Sequence, residues 1–349
     1  MTAAVHAEES KLPLTAQAAG QCRAALVAWF TREGRDYPWR RTQDPYAILV
    51  SEIMLQQTQI ATVLGRGYYT RWMEQFPDAS TLAAADEGAI LKAWEGLGYY
   101  SRARNLQRAA RTVIDGHQGI FPRTLEEIAA LPGVGRYTAG AVFSFAWNLP
   151  APIVDGNVAR VLSRLFSFQS EINTPAAQRI LWDWAEALLD RKHARQFNSA
   201  IMELGQRLCT PRQPACDLCP LKVHCLSAGP SAESLPKKKA SRKTVTEDEH
   251  ALWVMRNGCL LMAQETGSRR KGLWRLPLRT EPECRQLPLI SRSKYSITHH
   301  RVTLSVHEAP HAMPNGEESW QPVNSLSGLA MPGPIRRVVD DLLPRGGGL

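Results

Sequence analysis

Four cysteines fall within seventeen residues, in CTPRQPACDLCPLKVHC: Cys209, Cys216, Cys219 and Cys225, spaced C-x6-C-x2-C-x5-C. Four thiolates this close can enclose one metal centre, and a chain that uses them so must wind this segment around it. Thiolates are soft ligands, which narrows the centre to an iron–sulfur cluster or zinc. Two disulfides are the competing arrangement. They are disfavoured, because no secretory signal is seen and a chain of 349 residues can bury a core without covalent staples. A C-x2-C pair is common in four-cysteine zinc sites. The x6, x2, x5 spacing departs from the usual pair-plus-pair zinc pattern and favours iron–sulfur. His224 reads as a neighbour, since four thiolates already complete a site. Cys22, Cys259 and Cys284 are scattered and read as small apolar residues in a reducing compartment.

The formal charge of +9 favours a polyanionic partner, nucleic acid foremost, although a basic protein can carry such charge for solubility alone. No apolar run is long enough to span a membrane. The first residues, MTAAVHAEESKLPL, lack a signal-peptide core. The expectation is a monomeric cytoplasmic protein of bacterial type, working at the nucleoid, with no membrane partner.

From about Ala18 to Ala228 the pattern is helical. Asp44-Pro45 before YAILVSEIML is an N-cap followed by proline at N1. Thr124-x-x-Glu127 is a capping box opening LEEIAAL. NTPAAQRILWDWAEALL repeats apolar residues at helical spacing. After Gly229 the chain turns polar and basic, in GPSAESLPKKKASRK, and reads as a tether that also touches DNA. Beyond it, ALWVMR and CLLMAQ flank Asn257-Gly258, the preferred residues of a type I′ hairpin. KYSITHHRVTLSVHEA holds a further strand region and PIRRVVDDLL a closing helix. The fold class is multidomain, α plus α/β: a helical region over 1–228, a basic linker over 229–247 and a smaller mixed α/β region over 248–349.

Four segments carry chemistry. In LPGVGRYTAG, Gly133 and Gly135 permit a tight hairpin between two helices, spanning 124–146. Backbone N–H groups facing outward at such a turn form an anion nest that grips a phosphate without reading bases. The plain alternative is a glycine turn between packed helices. In APIVDGNVARVL, Asp155 is a plausible helix N-cap, and a capping carboxylate is held oriented and ionised. Glu52 follows Ile48 and Leu49 on one helix face and so interrupts an apolar stripe. A carboxyl there has a raised pKa and can act as an acid, unless it escapes to a helix edge. Gln56 and Gln57 follow it. In GLGYYSRARNLQRAAR, Tyr99 and Tyr100 precede Arg102, Arg104, Arg108 and Arg111, which suits base stacking beside a phosphate-binding face.

SEIMLQQTQ, GLGYYSRARNL, LPGVGRYTAGA and VDGNVARVL stand in this order before the cysteines. Together they resemble the helix–hairpin–helix DNA glycosylases that carry an iron–sulfur cluster, and most closely the adenine DNA glycosylases. The resemblance covers about residues 20–228. It is looser over 248–349, where GLWRLP and THH look like remnants of that family's Nudix-like recognition domain. It implies a [4Fe–4S] cluster on Cys209, Cys216, Cys219 and Cys225. The implied substrate is double-stranded DNA with adenine opposite 8-oxoguanine or guanine. Glu52 would protonate the flipped adenine and then assist water. Asp155 would stabilise the cation left on the sugar, Asn157 would orient Asp155, and Tyr137 would pack near the sugar. Arg40, in YPWR, matches a residue at the adenine pocket. Gln56, Gln57 and Thr58 would meet the base stack and Tyr99 would wedge beside the oxidised guanine. Gly133 and Gly135 would hold a phosphate, and Thr298 and His299 would meet 8-oxoguanine. The cluster would act as a clasp, with Arg207, Arg212 and Lys222 facing the DNA backbone.

Bifunctional relatives such as endonuclease III carry a lysine where this chain has Tyr137, so the resemblance implies a glycosylase without lyase chemistry. Two departures bear on the transfer. Ser199 stands where family members often carry Gln or Glu against the adenine. Residues 278–294 are too few for a Nudix helix with its row of glutamates; Glu281 and Glu283, around a proline, do not make one. The C-terminal region is therefore expected to bind rather than hydrolyse. The rival readings are a bifunctional pyrimidine-damage glycosylase and lyase, a non-catalytic iron–sulfur DNA-binding protein, and a zinc protein. The linker is also a candidate contact for a sliding clamp or a mismatch-repair protein.

Overall fold

The computed structural model describes residues 12–238, 244–267 and 270–343. Helices begin where local capping favours them. Thr15 caps α1 (Ala16–Glu33) by accepting from Ala18 N. Asp44 caps α2 (Pro45–Leu55) through the N–H groups of Tyr46 and Ala47, with proline at N1. Short helices follow: α3 (Ile60–Gly65), α4 (Tyr68–Gln75), α5 (Ala79–Ala84) and α6 (Glu87–Ala93), the last two capped by Asp78 and Asp86. Then come α7 (Ser101–His117), α8 (Leu125–Ala130), α9 (Arg136–Trp147), α10 (Gly156–Leu165), α11 (Pro175–Leu188) and α12 (Ala194–Arg207). Thr124 caps α8 as its motif predicts, accepting from Glu127 N. The return contact is a hydroxyl donated to the Glu127 carboxylate at 2.7 Å.

The chain divides into two compact units that do not follow its order. One takes the described residues up to Gln56 and those from Arg111 to 238; the other takes Gln57–Ala110 and the residues from 244 onward. In the first unit, Cys22, Leu26 and Trp29 of α1 pack into a core with Val158, Val161 and Leu162 of α10, Leu181, Trp184 and Leu188 of α11, and Phe197, Ile201 and Leu204 of α12. Each such side chain contributes about 1.5–3 kcal/mol by leaving water. α12 lies against both α10 and α1. Gly205 makes the close approach possible: a Cβ there would stand 2.8 Å from Asn157 Cβ. Residues 230–234 of the expected linker form a 3-10 turn, and Ile172 N donates to Lys237 O at 3.0 Å. Residues 239–243 lie outside the described residues, and the last expected linker residues, 245–247, already belong to a strand.

In the second unit, Trp72 meets Phe76 and Trp94 edge-on among α4 and α6. Two sheets build its C-terminal part. β1 (Val245–Trp253) runs parallel to β7 (His300–Glu308). β7 pairs antiparallel with β6 (Leu289–Ile297), and β1 with β5 (Leu278–Arg279). The second sheet joins β3 (Cys259–Gln264) to β2 (Met255–Arg256), β4 (Trp274–Arg275) and β8 (Glu318–Pro322). Asn257 and Gly258 both take positive φ, as the type I′ turn requires. The hairpin is shorter than the sequence pattern suggests, because β1 gives its ladder to β7 and only Met255 and Arg256 continue in register with β3. α13 (Glu281–Cys284) has a single turn and α14 (Gly333–Leu342) closes the fold. The described residues thus combine a helical region with a mixed-sheet C-terminal region. No helix of the described residues is long and apolar enough to cross a membrane.

Candidate active site

Glu52 sits on α2, whose residues Tyr46 to Met54 are all buried. α2 packs against α9, and Tyr137, at the second position of α9, donates its hydroxyl to Glu52 Oε2 at 2.7 Å. Burial pushes Glu52 up to about 7. The Tyr137 bond acts against this rise, the Asp155 charge adds to it and the Arg40 charge opposes it. Burial and the two carboxylates raise the Tyr137 phenol well above its ordinary range, so it serves as a donor.

Asp155 caps α10. Its Oδ1 accepts from Asn157 N at 2.9 Å and Val158 N at 2.7 Å, and Oδ2 accepts from Asn157 Nδ2 at 2.8 Å. The cap orients the carboxylate as the sequence predicts. Burial raises the Asp155 pKa, against the three bonds and the Arg160 charge that favour the charged form. Asn157 is fixed in turn. Its Oδ1 accepts from Arg160 Nη2 at 2.9 Å, and Arg160 also donates to Gly205 O at 2.6 Å and Cys209 O at 2.7 Å. One turn further along α10, the buried Arg164 donates to Thr210 O, Pro211 O and Leu235 O.

Arg40 packs between the rings of Phe30 and Tyr37, 4.9 and 4.8 Å from their centroids, and donates to Arg35 O and to Glu203. Glu203 is fully buried and also accepts from Arg35 N and Arg207, each at 3.0 Å. Sequence reasoning missed this carboxylate; its four-residue spacing to Arg207 was the available signal. Arg207 is thus engaged with Glu203 rather than displayed, and Lys222 pairs with Asp217. Gln56 Nε2 reaches Thr138 Oγ1 at 3.4 Å. Ser199 is buried on α12, beside Asn198, which donates to Ser144 Oγ and Ala151 O. In the hairpin only Gly133 needs glycine for its backbone, with φ +79°. Gly135 is extended, and a Cβ there would meet nothing within 4 Å.

Cys209, Cys216, Cys219 and Cys225 line one cavity with Arg164, Leu208 and Ala215, and none is in a disulfide. Cysteine sulfurs around one tetrahedral zinc stand about 3.8 Å apart, from a Zn–S distance of about 2.3 Å. Among the described residues no three of these four thiols come within 4.8 Å of one another. Burial pushes the Cys219 thiol up to about 11, so metal binding there must displace a proton.

The second unit holds Gln57, Thr58, Tyr99, Thr298 and His299. Gln57, Tyr99 and Thr298 share a property no motif announces: each has a positive φ, of 57°, 48° and 54°. Such a backbone is costly for residues other than glycine. Tyr99 is 47% exposed, with the Arg102 guanidinium 5.6 Å from its ring centroid. The expected basic face is partly consumed. Arg102 is buried and donates to Leu97 O, Gly98 O and Thr58 Oγ1, and Arg104 pairs with Glu87. Thr298 and His299 form the two-residue turn between β6 and β7, with Thr298 Oγ1 3.4 Å from His299 Nδ1.

Residues 50–187 match the family model of the HhH-GPD superfamily base excision DNA repair protein. The chain is similar to the adenine DNA glycosylase of Homo sapiens, 45% identical over 212 residues, covering 58% of this chain and 38% of that protein. It spans about two fifths of the length of the first curated relatives it matches. It is 33% identical over 242 residues to the adenine DNA glycosylase of Buchnera aphidicola subsp. Acyrthosiphon pisum (strain APS), covering 66% of this chain and 69% of that protein. Among solved structures, a thermostable thymine-DNA glycosylase shares 31% identity with a TM-score of 0.56, covering 61% of this chain and 97% of that one. The likeness runs through the helices that carry Glu52, Tyr137 and Asp155, and the chain belongs to the adenine DNA glycosylase family within the HhH-GPD superfamily.

Proposed function

We propose that the protein is a monofunctional DNA repair glycosylase. Its substrate is double-stranded DNA in which adenine is mispaired with 8-oxoguanine or with guanine. The observation that carries this reading is a buried Glu52, half protonated near neutral pH, bonded to Tyr137 within the field of the capped Asp155. The target nucleotide must leave the stack, since its reacting atoms are inaccessible in a duplex. Glu52 gives its proton to the adenine ring, the C1′–N9 bond breaks, and adenine leaves as a neutral base. Asp155 faces the positive charge that develops on the sugar. The Glu52 carboxylate then takes a proton from the water that attacks C1′ and is restored. Tyr137 steadies Glu52, and Asn157, tied to Arg160, holds Asp155.

The helical region up to residue 228 would carry this chemistry. The open space at Gly135, ahead of the α9 N–H groups, suits a phosphate. The left-handed backbones at Gln57, Tyr99 and Thr298 are the kind of strain that collects at ligand-contacting positions. Gln56 and Thr58 complete the stack-facing segment. The four cysteines suit a [4Fe–4S] cluster, which when bound ties the 209–225 loop at four points. Residues 248–349 would read the opposite base through Thr298 and His299. α13, a single turn, lacks room for the glutamate row of a nucleotide hydrolase.

The test is base release from duplexes holding A opposite 8-oxoguanine, A opposite guanine and A opposite T, each with and without alkali. The expected outcome is release from the first two, strand breaks only after alkali, and no borohydride-trapped adduct. An abundant trapped adduct, or no release from any duplex, overturns the reading. His299→Ala is expected to narrow the preference for 8-oxoguanine over guanine. An unchanged ratio of single-turnover rates removes His299 from that role.

A further inference from the structure

Cys284 has no motif around it, yet the fold gathers ligands at its side. Its Sγ lies with one ring nitrogen each of His250 and His307, all three atoms within 4.8 Å of one another. We propose that His250, Cys284 and His307 form a zinc site in the C-terminal region, separate from the four-cysteine loop.

The strand register builds it. β1 sets His250 opposite Ser305 and Leu252 opposite His307, so the two imidazoles are diagonal neighbours on one sheet face. His250 Nδ1 and His307 Nε2 stand 3.1 Å apart. Two nitrogens on a tetrahedral zinc stand about 3.3 Å apart, from Zn–N distances of about 2.0–2.1 Å. His307 Nδ1 lies 3.3 Å from Leu287 O. A carbonyl only accepts, so Nδ1 carries the hydrogen and Nε2 presents its lone pair toward His250. A backbone carbonyl on the far nitrogen is the usual way a metal-bound histidine is oriented. The same turn supplies thiol and carbonyl, because Leu287 N donates to Cys284 O at 3.0 Å. Cys284 and His307 are both buried. Two imidazoles and a thiolate are borderline-soft donors that select zinc over magnesium or calcium. Three protein ligands leave a fourth position for water. The metal would clamp β1, β7 and α13 together, and β7 begins next to the Thr298–His299 turn.

The competing account is a hydrogen-bonded histidine pair beside an inert thiol. The test uses the full chain, treated with chelator, reloaded with zinc sulfate and desalted. Zinc content is measured together with zinc K-edge absorption fine structure. The expected result is about one zinc per chain, with one sulfur near 2.3 Å and nitrogens near 2.0–2.1 Å. Cys284→Ser and His250→Ala should each retain less than a tenth of that zinc, with unchanged circular dichroism. His250 is only partly buried, so its variant decides the matter if Cys284→Ser does not fold. Three results overturn the proposal: no zinc retained by the native chain, equal retention by the variants, or a sulfur-only shell, which would place the metal in the 209–225 loop.

Discussion

Glu52→Gln is expected to bind the A:8-oxoguanine duplex with unchanged affinity and to release adenine about a thousandfold more slowly, within the ~10²–10⁴-fold range of positioned acid–base groups. Gln keeps the size of the side chain and can still accept from Tyr137, but has no proton to give. The native rate should fall as pH rises through about 7, where Glu52 loses its proton in the fold. The same variant has a stability signature. Because the folded pKa lies above the unfolded 4.5, the protonated carboxyl favours the fold. That contribution is fully present below 4.5 and is lost as pH rises through about 7. The rise corresponds to about 3 kcal/mol. Gln does not titrate, so the melting temperature of the variant relative to the native chain should climb by several degrees between pH 5 and pH 8. A flat difference across that range would mean that Glu52 is not held protonated.

Asp155→Asn separates a charge from a cap. Asn is as good an N-cap as Asp, so the variant should melt within about 1 kcal/mol of the native chain. The negative charge facing the sugar is gone, and base release should slow by about 10²–10³-fold, the usual loss when one electrostatic stabiliser is removed. Asp155→Ala should lose a similar rate and also about 1 kcal/mol of stability, because Asn157 N and Val158 N lose their acceptor. Base release by Asp155→Asn within tenfold of the native rate would leave Asp155 as a cap and nothing more.

What the sequence made legible is local. Asp44-Pro45, Thr124 and Asn257-Gly258 each act on neighbours within four residues, and the structure uses all three. Glu52 and Tyr137 were visible as separate residues in separate motifs. Their hydrogen bond spans 85 positions and needs α2 against α9. Glu203 escaped notice because its partners Arg35 and Arg40 are more than 160 positions away. Cys284 looked like an ordinary core residue, since its histidine neighbours come from two strands whose pairing no spacing rule reveals. The basic run after Tyr100 misled in the other direction. Helical periodicity said that the arginines form a face, but the Leu97 and Gly98 carbonyls of the glycine turn accept from Arg102 and draw it inward.

The interleaving of the two units sets a timetable for synthesis. α1 packs against α12, and roughly 160 residues lie between them. At about 5–20 residues per second, that gap takes the ribosome on the order of 10–30 s. Until α10 emerges, the apolar face of α1 lacks the helices of its core, that core stays incomplete until α12 follows, and Glu52 waits 85 residues for Tyr137. The last pieces to emerge for the first unit are α12 and the cysteine loop, so the nascent chain stays unfinished there until the metal-binding segment has appeared. Chaperone dependence and truncation products should therefore depend on chain length, with an abrupt gain in protease resistance once residues beyond about 240 clear the exit tunnel.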